Sequence, residues 1–348
     1  MQPPAKLEQN IPLAPLSTIG LGGPARYFLR AGSVDDIRAA VRWSRAQAIP
    51  LFILGGGSNL LIADEGFDGL VLQIDLRGIL VEQDHGDVSV RVAAGEPWDP
   101  LVAMAVEGGW AGIECLSGIP GNVGATPIQN VGAYGQEVAE TISGVEVLDL
   151  RDDREHRLTN DECRFTYRSS LFKTERGRFI VLSVTFRLRP GGEATVRYPD
   201  LRKYLVEHGA ETSDLVQVRE AVLAVRRTKG MVIDPSDPDT RSDGSFFMNP
   251  IIPKSELDAF LAKAGRNDPP HFPSGDAVKL SAAWLIEHAG FHHGFVHGNV
   301  GLSTKHTLAI INRGGGTARE VRELVSMIQA RVRETFGVEL EPEPVSVG

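Results

Sequence analysis

Cysteine is scarce in this 348-residue sequence, and long apolar runs and clusters of basic residues are absent from it. Cys115 and Cys163 are too few for a disulfide framework and lack the spacing of a metal-binding pair, so we expect a reducing compartment. The net charge of −9 argues against a surface for nucleic acid or anionic membranes. No apolar run is long enough to span a bilayer, and no signal-peptide core begins the chain. These absences predict a cytoplasmic globular protein.

The common nucleotide-binding motifs are also missing. A dinucleotide fingerprint of the G-x-G-x-x-G type that starts at Gly55 needs glycine at position 60, where the chain has Leu60. The phosphate-binding loop pattern G-x-x-x-x-G-K-[ST] does not occur. The sequence therefore does not predict a Rossmann sheet.

Glycine, in contrast, is concentrated in two places. The first Gly-rich segment, residues 55–59 (Gly-Gly-Gly-Ser-Asn), follows the apolar run of residues 51–54, which predicts a buried strand. The second Gly-rich segment, residues 116–135, contains five glycines and two prolines and no charged residue. Glycine allows main-chain N–H groups to approach a ligand and to adopt positive φ, as a phosphate site requires. Each segment is alternatively an ordinary tight turn, but together they predict a pyrophosphate site.

The remaining pattern predicts an α+β protein of two or three domains, since 348 residues with 42% hydrophobic content exceed a single core. Ser33 is the predicted N-cap of a helix from Val34 to about Ala48. Runs rich in β-branched residues predict strands, and apolar residues at helical spacing predict helices. The predicted strands are residues 88–92, 145–150, 179–188 and 307–312, and the further predicted helices are residues 215–228, 255–264, 277–288 and 318–336.

Four further motifs follow the Gly-rich segments in a defined order. They are residues 167–170 (Tyr-Arg-Ser-Ser), 244–247 (Gly-Ser-Phe-Phe), 249–250 (Asn-Pro) and 340–343 (Leu-Glu-Pro-Glu). With residues 55–59, 118–121 and 129–135, these motifs resemble those of the UDP-N-acetylenolpyruvoylglucosamine reductase (MurB) family, in the subgroup with a substrate-covering tyrosine. Each motif alone is short, but their order and spacing cover nearly the whole chain.

The resemblance implies a vanillyl-alcohol-oxidase-type (PCMH-like) FAD-binding domain in two subdomains, residues 1–78 and 79–226. It further implies a smaller α+β substrate domain, residues 227–338, and a C-terminal segment, residues 339–348, that returns to the active site. FAD is expected to bind non-covalently, because the first Gly-rich segment offers no histidine for attachment. The implied FAD-binding residues are Gly55, Gly56, Gly57, Ser58, Asn59, Gly118, Pro120, Gly121, Gly124, Ala125, Gln129, Asn130, Gly132, Ala133 and Tyr134.

The resemblance also implies the reaction, which is the NADPH-dependent reduction of UDP-N-acetylglucosamine-enolpyruvate to UDP-N-acetylmuramate. Arg168 suits the substrate carboxylate and the developing enolate, because guanidinium is always charged and presents a fork of donors. Ser245 is the implied proton donor. Glu343 is implied to hydrogen-bond or protonate the intermediate. The structural alternatives are a salt bridge for Arg168, a strand start at residues 244–247, and a solvated tail carboxylate for Glu343.

Tyr198, Lys229 and Asn249 are the implied substrate-binding residues. In the family subgroup, a tyrosine on a mobile loop closes over the substrate diphosphate. Pro199 and Met248 depart from the glycine and lysine often found at these two places. NADPH is expected to bind first, leave, and be replaced by the enolpyruvyl substrate at the same face of a monomeric, bacterial cytoplasmic enzyme.

Two other functions are compatible with the same segments. One is a sugar or lactone oxidase of the same FAD-domain type, which uses oxygen and does not need Ser245. The other is a non-catalytic nucleotide-binding protein, which would purify without colour. A histidine cluster at His288, His292, His293 and His297 is not predicted to bind metal, because Gly290 and Gly294 interrupt the helix that the spacing would require.

Overall fold

The structure of the chain is a computed structural model that describes residues 2–265 and 268–348. It divides into two compact units. Unit 1 comprises Met1–Ile11, Ala25–Gly56 and Asp68–Thr228, and unit 2 comprises Pro12–Pro24, Gly57–Phe67 and Lys229–Gly348. The α-helices of the described residues are α1 (Val34–Ala46), α2 (Trp98–Glu107), α3 (Leu171–Thr174), α4 (Pro199–Glu207), α5 (Leu215–Thr228), α6 (Leu257–Ala264), α7 (Ala282–His288) and α8 (Ala318–Phe336).

The β-strands are mostly short. They are β1 (Glu8–Pro12), β2 (Pro24–Ala31), β3 (Leu51–Leu54), β4 (Leu60–Ile62), β5 (Phe67–Ile74), β6 (Ile79–Asp84), β7 (Asp87–Ala93), β8 (Trp110–Ala111), β9 (Gly132–Ala133), β10 (Gln136–Glu137), β11 (Ile142–Asp149), β12 (Arg154–Leu158), β13 (Phe179–Pro190), β14 (Ser242–Ser245), β15 (Ile251–Pro253), β16 (His271–Ser274), β17 (Ala277–Leu280), β18 (Val296–His297), β19 (Val300–Leu302), β20 (Ala309–Asn312) and β21 (Val345–Val347).

Unit 1 contains two main sheets. The first has the order β1-β2-β5-β3, with β3 and β5 parallel. The second has the order β12-β11-β13-β7-β6, with all of these pairs antiparallel, and β8 also pairs with β13. Val88, Val90 and Val92 alternate along β7 and are fully buried, as expected for a strand with one face on the core. Helix α1 buries Ile37, Ala40 and Val41 at helical spacing against the same core.

Unit 2 is organised around α8. Its strands form the sheets β14-β20-β19-β18 and β15-β17-β16, and β4 pairs in parallel with β21. Two sets of side chains accept hydrogen bonds from the free N–H groups at the start of α8. Thr317 and Glu320 form a capping box, and Asp64 accepts from the N–H groups of Ala318 and Arg319 at 2.7 and 3.0 Å. Gly337 ends the helix with φ +73°. This capped, amphipathic helix buries one apolar face in the core of unit 2.

Most predicted elements are confirmed. Helix α1 begins after the Ser33 cap, the predicted strands of residues 88–92 and 179–188 lie within β7 and β13, and α8 has the predicted bounds. The predicted helix 277–288 is wrong in its first part, because residues 277–280 form β17 between β15 and β16. The helix there begins only after Ser281, whose hydroxyl caps α7.

The compact units also group the chain differently from the predicted segments. Residues 12–24 and 57–67 belong to unit 2, whereas the sequence placed them in the N-terminal subdomain 1–78. Along the chain, β5 is the last strand of the first main sheet of unit 1, and β6 is the first strand of the second. The subdivisions at residues 78 and 338 stay predictions. Within the described residues, no helix combines the length and the apolar content needed to cross a membrane.

Candidate functional site

The two Gly-rich segments meet in unit 1. A Cβ placed on Gly56 would lie 2.6 Å from the Cα of Gly121, so the two backbones are in direct contact. Gly121 itself has φ +116°, a conformation that favours glycine. Two distant parts of the chain thus form one surface, and neither segment contains an acidic residue. This combination fits an anionic group such as a pyrophosphate.

Hydrogen bonds fix the orientation of the peptides in the second segment. Trp98 N–H donates to the carbonyl of Gly121 at 3.0 Å, and Val123 N–H donates to the carbonyl of Glu96 at 2.8 Å. These two bonds flank an antiparallel bridge between Pro97 and Asn122. Because the C=O and N–H of a trans peptide point in opposite directions, the N–H of Asn122 points away from Pro97. The peptide between Gly121 and Asn122 therefore presents its N–H donor on the side of the loop that faces away from Pro97.

Asp99, near the start of α2, holds the beginning of this loop. Its Oδ1 accepts from the N–H of Gly118 at 2.6 Å, and both carboxylate oxygens accept from Arg219 of α5 at 2.7 and 2.8 Å. Burial alone raises the pKa of Asp99, but the bonds from Arg219 and Gly118 outweigh it and lower the pKa. The ionised carboxylate thus anchors residue 118 of the predicted cofactor site.

Gly124 packs against Ala94. Its N–H donates to the carbonyl of Ala94 at 2.9 Å, and an added Cβ would lie 2.5 Å from the Cβ of Ala94. The N–H of Gly124 is therefore used inside the protein, and the missing side chain accommodates the residue after β7. The assignment of Gly124 to the FAD site stays a prediction. Of the other implied residues in this segment, Gly118 and Asn130 are buried. The rest are partly accessible, as Gly124 is, namely Pro120, Gly121, Ala125, Gln129, Gly132, Ala133 and Tyr134.

The 129–135 turn is built around Asn130, which is buried and has φ +47°. Its amide nitrogen donates to Glu137 Oε2 at 2.7 Å and to the carbonyl of Thr166 at 3.2 Å. Its Oδ1 accepts from the N–H of Ala139 at 3.1 Å. Both amide hydrogens are thus used inside the protein. The side chain of Asn130 shapes the turn, and direct donation from it to a cofactor is not supported.

Arg168 is attached to the same turn. Its guanidinium donates to the carbonyl of Gly132 at 2.7 Å and to that of Asn130 at 3.4 Å. The guanidinium also lies 5.5 Å from the centre of the Tyr167 ring. The backbone of Arg168 has φ +52°, which is uncommon for a residue with a side chain and indicates a constrained position. The predicted catalytic arginine is therefore placed beside the predicted flavin-binding turn.

Tyr198 lies against the same turn, at the N-cap of α4 rather than in an extended loop. Its ring packs edge-to-face on Tyr134 with 5.8 Å between the centroids, and 40% of the residue is exposed. Arg197 fastens this contact, because its Nη1 donates to the carbonyl of Gly135 at 3.0 Å and to Glu140 Oε1 at 2.7 Å. Burial raises the pKa of Tyr134 to about 12, so its phenol is neutral.

In unit 2, Ser245 and Glu343 are brought together by backbone pairing. Ser245 ends β14 opposite Ala309 of β20. The N–H of Glu343 donates to the carbonyl of Phe246 at 2.8 Å, and the N–H of Met248 donates to the carbonyl of Glu341 at 3.0 Å. The C-terminal segment thus runs along the Gly-Ser-Phe-Phe motif. This places Glu343 next to the residue that follows Ser245.

The end of the first Gly-rich segment belongs to unit 2. Gly57 has φ +68°, and its added Cβ would lie 1.8 Å from the carbonyl oxygen of Leu16. Its own carbonyl accepts from Thr18 N–H at 3.0 Å, so the N–H of Ser58 points away from Thr18. Asn59 Nδ2 donates to the carbonyl of Glu343 at 3.3 Å. The segment therefore contacts the backbone that positions Glu343.

Lys229 and Asn249 also lie in unit 2. Asn249 Oδ1 accepts from the N–H of Ala282 at 3.0 Å, which supports the start of α7. Lys229 lies near His306, a residue that the sequence reading did not select. Burial, together with the charges of Lys229 and His293, lowers the pKa of His306 to about 4. His306 is therefore neutral beside the predicted substrate-binding lysine. No sequence pattern near His306 predicts this, because its burial and its neighbouring charges come from distant parts of the chain.

The histidine cluster has separate structural partners. The His288 ring stacks on Trp284 with 3.9 Å between the centroids, and His297 Nε2 lies 3.1 Å from Glu323 Oε2. In the described part of the chain, the group with metal-binding spacing is instead Asp149, Asp152 and His156. In that group, Asp149 Oδ2 already accepts a hydrogen bond from the Arg178 guanidinium at 2.7 Å.

Family comparisons match both halves of the chain. A model described as FAD binding domain matches residues 25–159, and a model described as UDP-N-acetylenolpyruvoylglucosamine reductase, C-terminal domain, matches residues 234–347. The chain is 49% identical to the UDP-N-acetylenolpyruvoylglucosamine reductase of Thermobifida fusca, over 98% of each chain. It is 47% identical to that of Streptomyces coelicolor, over 99% of this chain and 91% of the relative.

A solved structure agrees with the sequence comparisons. The crystal structure of UDP-N-acetylenolpyruvylglucosamine reductase (MurB) from Thermus caldophilus aligns with 98% of this chain and 99% of its own, with a TM-score of 0.66 and 25% identity. The fold is therefore of this FAD-dependent type. Given relatives of nearly half identical sequence over almost the full length, the chain belongs to the UDP-N-acetylenolpyruvoylglucosamine reductase family.

Proposed function

We infer that this chain is the FAD-dependent, NADPH-consuming reductase that converts UDP-N-acetylglucosamine-enolpyruvate to UDP-N-acetylmuramate for peptidoglycan synthesis. The observation that carries the inference is the pairing of the C-terminal segment with the Gly-Ser-Phe-Phe motif. That pairing joins Glu343 to the neighbour of Ser245 within unit 2, in a chain that belongs to this family.

We propose that the two Gly-rich segments hold FAD. Three features support an anion-binding backbone: the contact at Gly56 and Gly121, the N–H of Asn122 that points away from Pro97, and the lack of acidic residues. When bound, FAD supplies the hydride that it has taken from NADPH. The protein's own contribution is to hold and orient the substrate and to manage charge and protons.

Arg168 is proposed to bind the substrate carboxylate and to stabilise the negative charge that develops on it after hydride addition to the terminal carbon. Ser245 is proposed to give its hydroxyl proton to the carbon next to that carboxylate, which completes the addition of hydride and proton across the double bond. Glu343 is proposed to hydrogen-bond the same intermediate. A serine hydroxyl is a weak acid, so this role requires a nearby polar network to stabilise the alkoxide.

Tyr198, Lys229 and Asn249 are proposed to bind the substrate, with Tyr198 and Lys229 directed to its diphosphate. Tyr198 is accessible, and Arg197 fastens its segment to the 129–135 turn. We further propose that NADPH and the enolpyruvyl substrate use one site in turn, and that the enzyme is a monomer of the bacterial cytoplasm.

Anaerobic stopped-flow measurements of flavin absorbance test the function. We expect NADPH to reduce the bound flavin, and UDP-N-acetylglucosamine-enolpyruvate to reoxidise it rapidly without oxygen. An oxidase of the same domain type would instead reoxidise with oxygen and ignore the enolpyruvyl substrate. Reoxidation by oxygen alone would reject the proposed function.

A further inference from the structure

Asp243 lies directly before the Gly-Ser-Phe-Phe motif, and its side chain approaches the end of the first Gly-rich segment, all within unit 2. Asp243 directly precedes Gly244 and is only 8% exposed. Its Oδ1 accepts from the Thr18 hydroxyl at 3.0 Å, and the N–H of the same Thr18 donates to the carbonyl of Gly57 at 3.0 Å. Thr18 therefore connects the Asp243 carboxyl to the segment that is proposed to hold FAD.

No cationic side chain of the described residues compensates the buried carboxyl of Asp243. Among residues 2–265 and 268–348, none forms an ion pair with Asp243, and its Oδ2 has no hydrogen-bond partner. The paired strand β20 and residues 57–62 carry no ionisable side chain. The adjoining segments carry Arg241, two residues before Asp243, and Glu341 and Glu343 on the C-terminal segment. The pKa of Asp243 is set by burial and hydrogen bonds, with no contribution from the charge of Arg241, Glu341 or Glu343. The last two carry charge of the same sign as an Asp243 carboxylate.

A buried carboxyl without a cation favours its neutral form. Burial raises the pKa of Asp243 to about 7, although the Thr18 hydroxyl and the N–H of Leu60 partly oppose the rise. Small changes of pH around neutrality therefore change the charge of a group that is linked to the first Gly-rich segment.

We propose that the charge of Asp243 determines the affinity of the protein for FAD. The protein binds the cofactor tightly when Asp243 is a neutral acid and weakly when Asp243 is a carboxylate. The reason is electrostatic, because the diphosphate of FAD is anionic and a second buried negative charge beside its loop repels it in a medium of low dielectric constant. Thermodynamic linkage requires the converse, so bound FAD holds the proton on Asp243. This inference rests on the proposed role of residues 55–59 in holding FAD.

The expected pH dependence follows from this linkage. Below the pKa of the free protein, FAD affinity is constant. Above it, the dissociation constant rises by up to about tenfold per pH unit, until the pH reaches the pKa of the FAD complex. We expect an increase of at least about threefold between pH values of about 6.5 and 8.5.

The test measures FAD dissociation from the full-length holoenzyme, by the rise in free-flavin fluorescence on dilution at each pH. Asp243→Asn keeps the shape and removes the titration, so its dissociation constant should be independent of pH over this range. Asp239→Asn is the matched control, because Asp239 is equally buried in unit 2 but accepts from the Thr304 side chain and N–H. This control should keep the wild-type pH dependence.

A second variant guards against a folding defect in Asp243→Asn. Thr18→Val removes the hydroxyl that stabilises the Asp243 carboxylate, so the onset of weaker FAD binding should move to higher pH. A wild-type dissociation constant that does not vary with pH would overturn the proposal. Unchanged pH dependence in Asp243→Asn would also overturn it, because the titration would then belong to another group.

The variant Ser58→Glu distinguishes a failure of the Asp243 proposal from a failure of the assignment of residues 55–59 to the FAD site. If residues 55–59 hold FAD, the added carboxylate weakens binding at every pH. Unchanged affinity in Ser58→Glu would reject that segment as the FAD site. A pH-independent wild type together with a weakened Ser58→Glu would reject the role of Asp243 alone.

Discussion

The backbone N–H of Glu343 donates a 2.8 Å hydrogen bond to the carbonyl of Phe246. This single bond connects the last motif of the sequence to the motif that contains Ser245. The positions of Ser245 and Glu343 therefore depend on one short stretch of backbone pairing, which also includes the bridge between Phe247 and Pro342. A change in either motif is expected to affect the position of the other.

Ser245→Ala separates the two half-reactions. Protonation follows hydride transfer, so the variant should bind FAD and accept hydride from NADPH at close to the wild-type rate. Reoxidation by the enolpyruvyl substrate should slow by about 10²–10⁴, because the intermediate lacks its proton donor. Anaerobic stopped-flow absorbance measures both steps, with exposed Ser255→Ala as the control. Wild-type reoxidation in Ser245→Ala would refute the assigned mechanism.

Arg168→Ala should affect both the cofactor turn and the chemistry. The variant loses the donors to the carbonyls of Gly132 and Asn130, so FAD affinity should fall by about tenfold. With saturating FAD, reoxidation by substrate should still be slowed by about 10²–10³. Arg168→Lys keeps the charge without the fork and should be intermediate. Wild-type reoxidation at saturating FAD would leave Arg168 with a structural role only.

Tyr198→Phe should raise the KM for the enolpyruvyl substrate and leave flavin reduction by NADPH nearly unchanged. The ring contact with Tyr134 does not need the hydroxyl, so the fold of this region should be kept. Steady-state kinetics measure the effect. Tyr204→Phe, on the same helix but stacked on His208, is the matched control. Equal KM values for Tyr198→Phe and wild type would exclude a hydroxyl contact with substrate.

Gly124→Ala should destabilise unit 1 by about 1–3 kcal/mol, because its Cβ would overlap Ala94. Any loss of FAD should follow from this displacement and not from a blocked ligand. Denaturant unfolding of the apoprotein, without cofactor, measures the effect directly. Gly32→Ala is the control, since its added Cβ meets nothing within 4 Å. Unchanged stability together with loss of FAD would instead indicate that Gly124 contacts the cofactor.

Asp243→Asn should stabilise the apoprotein in a pH-dependent way. The folded pKa of about 7 lies above that of an unfolded aspartate, so the folded chain binds more protons between about pH 4 and pH 7. Wild-type stability therefore falls as the pH rises through this window, by an amount on the order of 1–4 kcal/mol. Denaturant midpoints at pH values of about 4 and 8 should coincide for the two proteins at the lower pH and separate at the higher. Parallel pH profiles would refute the buried titration.

Local sequence signals were sufficient for much of the fold. The Ser33 cap and the capping box of Thr317 and Glu320 each act within one helical turn, so the starts of α1 and α8 follow from a few adjacent residues. The alternation of Val88, Val90 and Val92 likewise predicts a half-buried strand. The wrong prediction at residues 277–280 has the opposite cause, because pairing with β15 and β16 overrides the local preference.

The sequence by itself determined the family, the order of the motifs and the residues proposed to carry the chemistry. Only the tertiary structure decided that Gly124 faces Ala94, that the amide of Asn130 is used inside the protein, and that residues 57–67 join unit 2. It also decided the direction in which the pKa values of Asp243 and His306 are shifted, chiefly through burial. Steric fit and desolvation depend on atoms from distant parts of the chain, and a linear pattern does not contain those contacts.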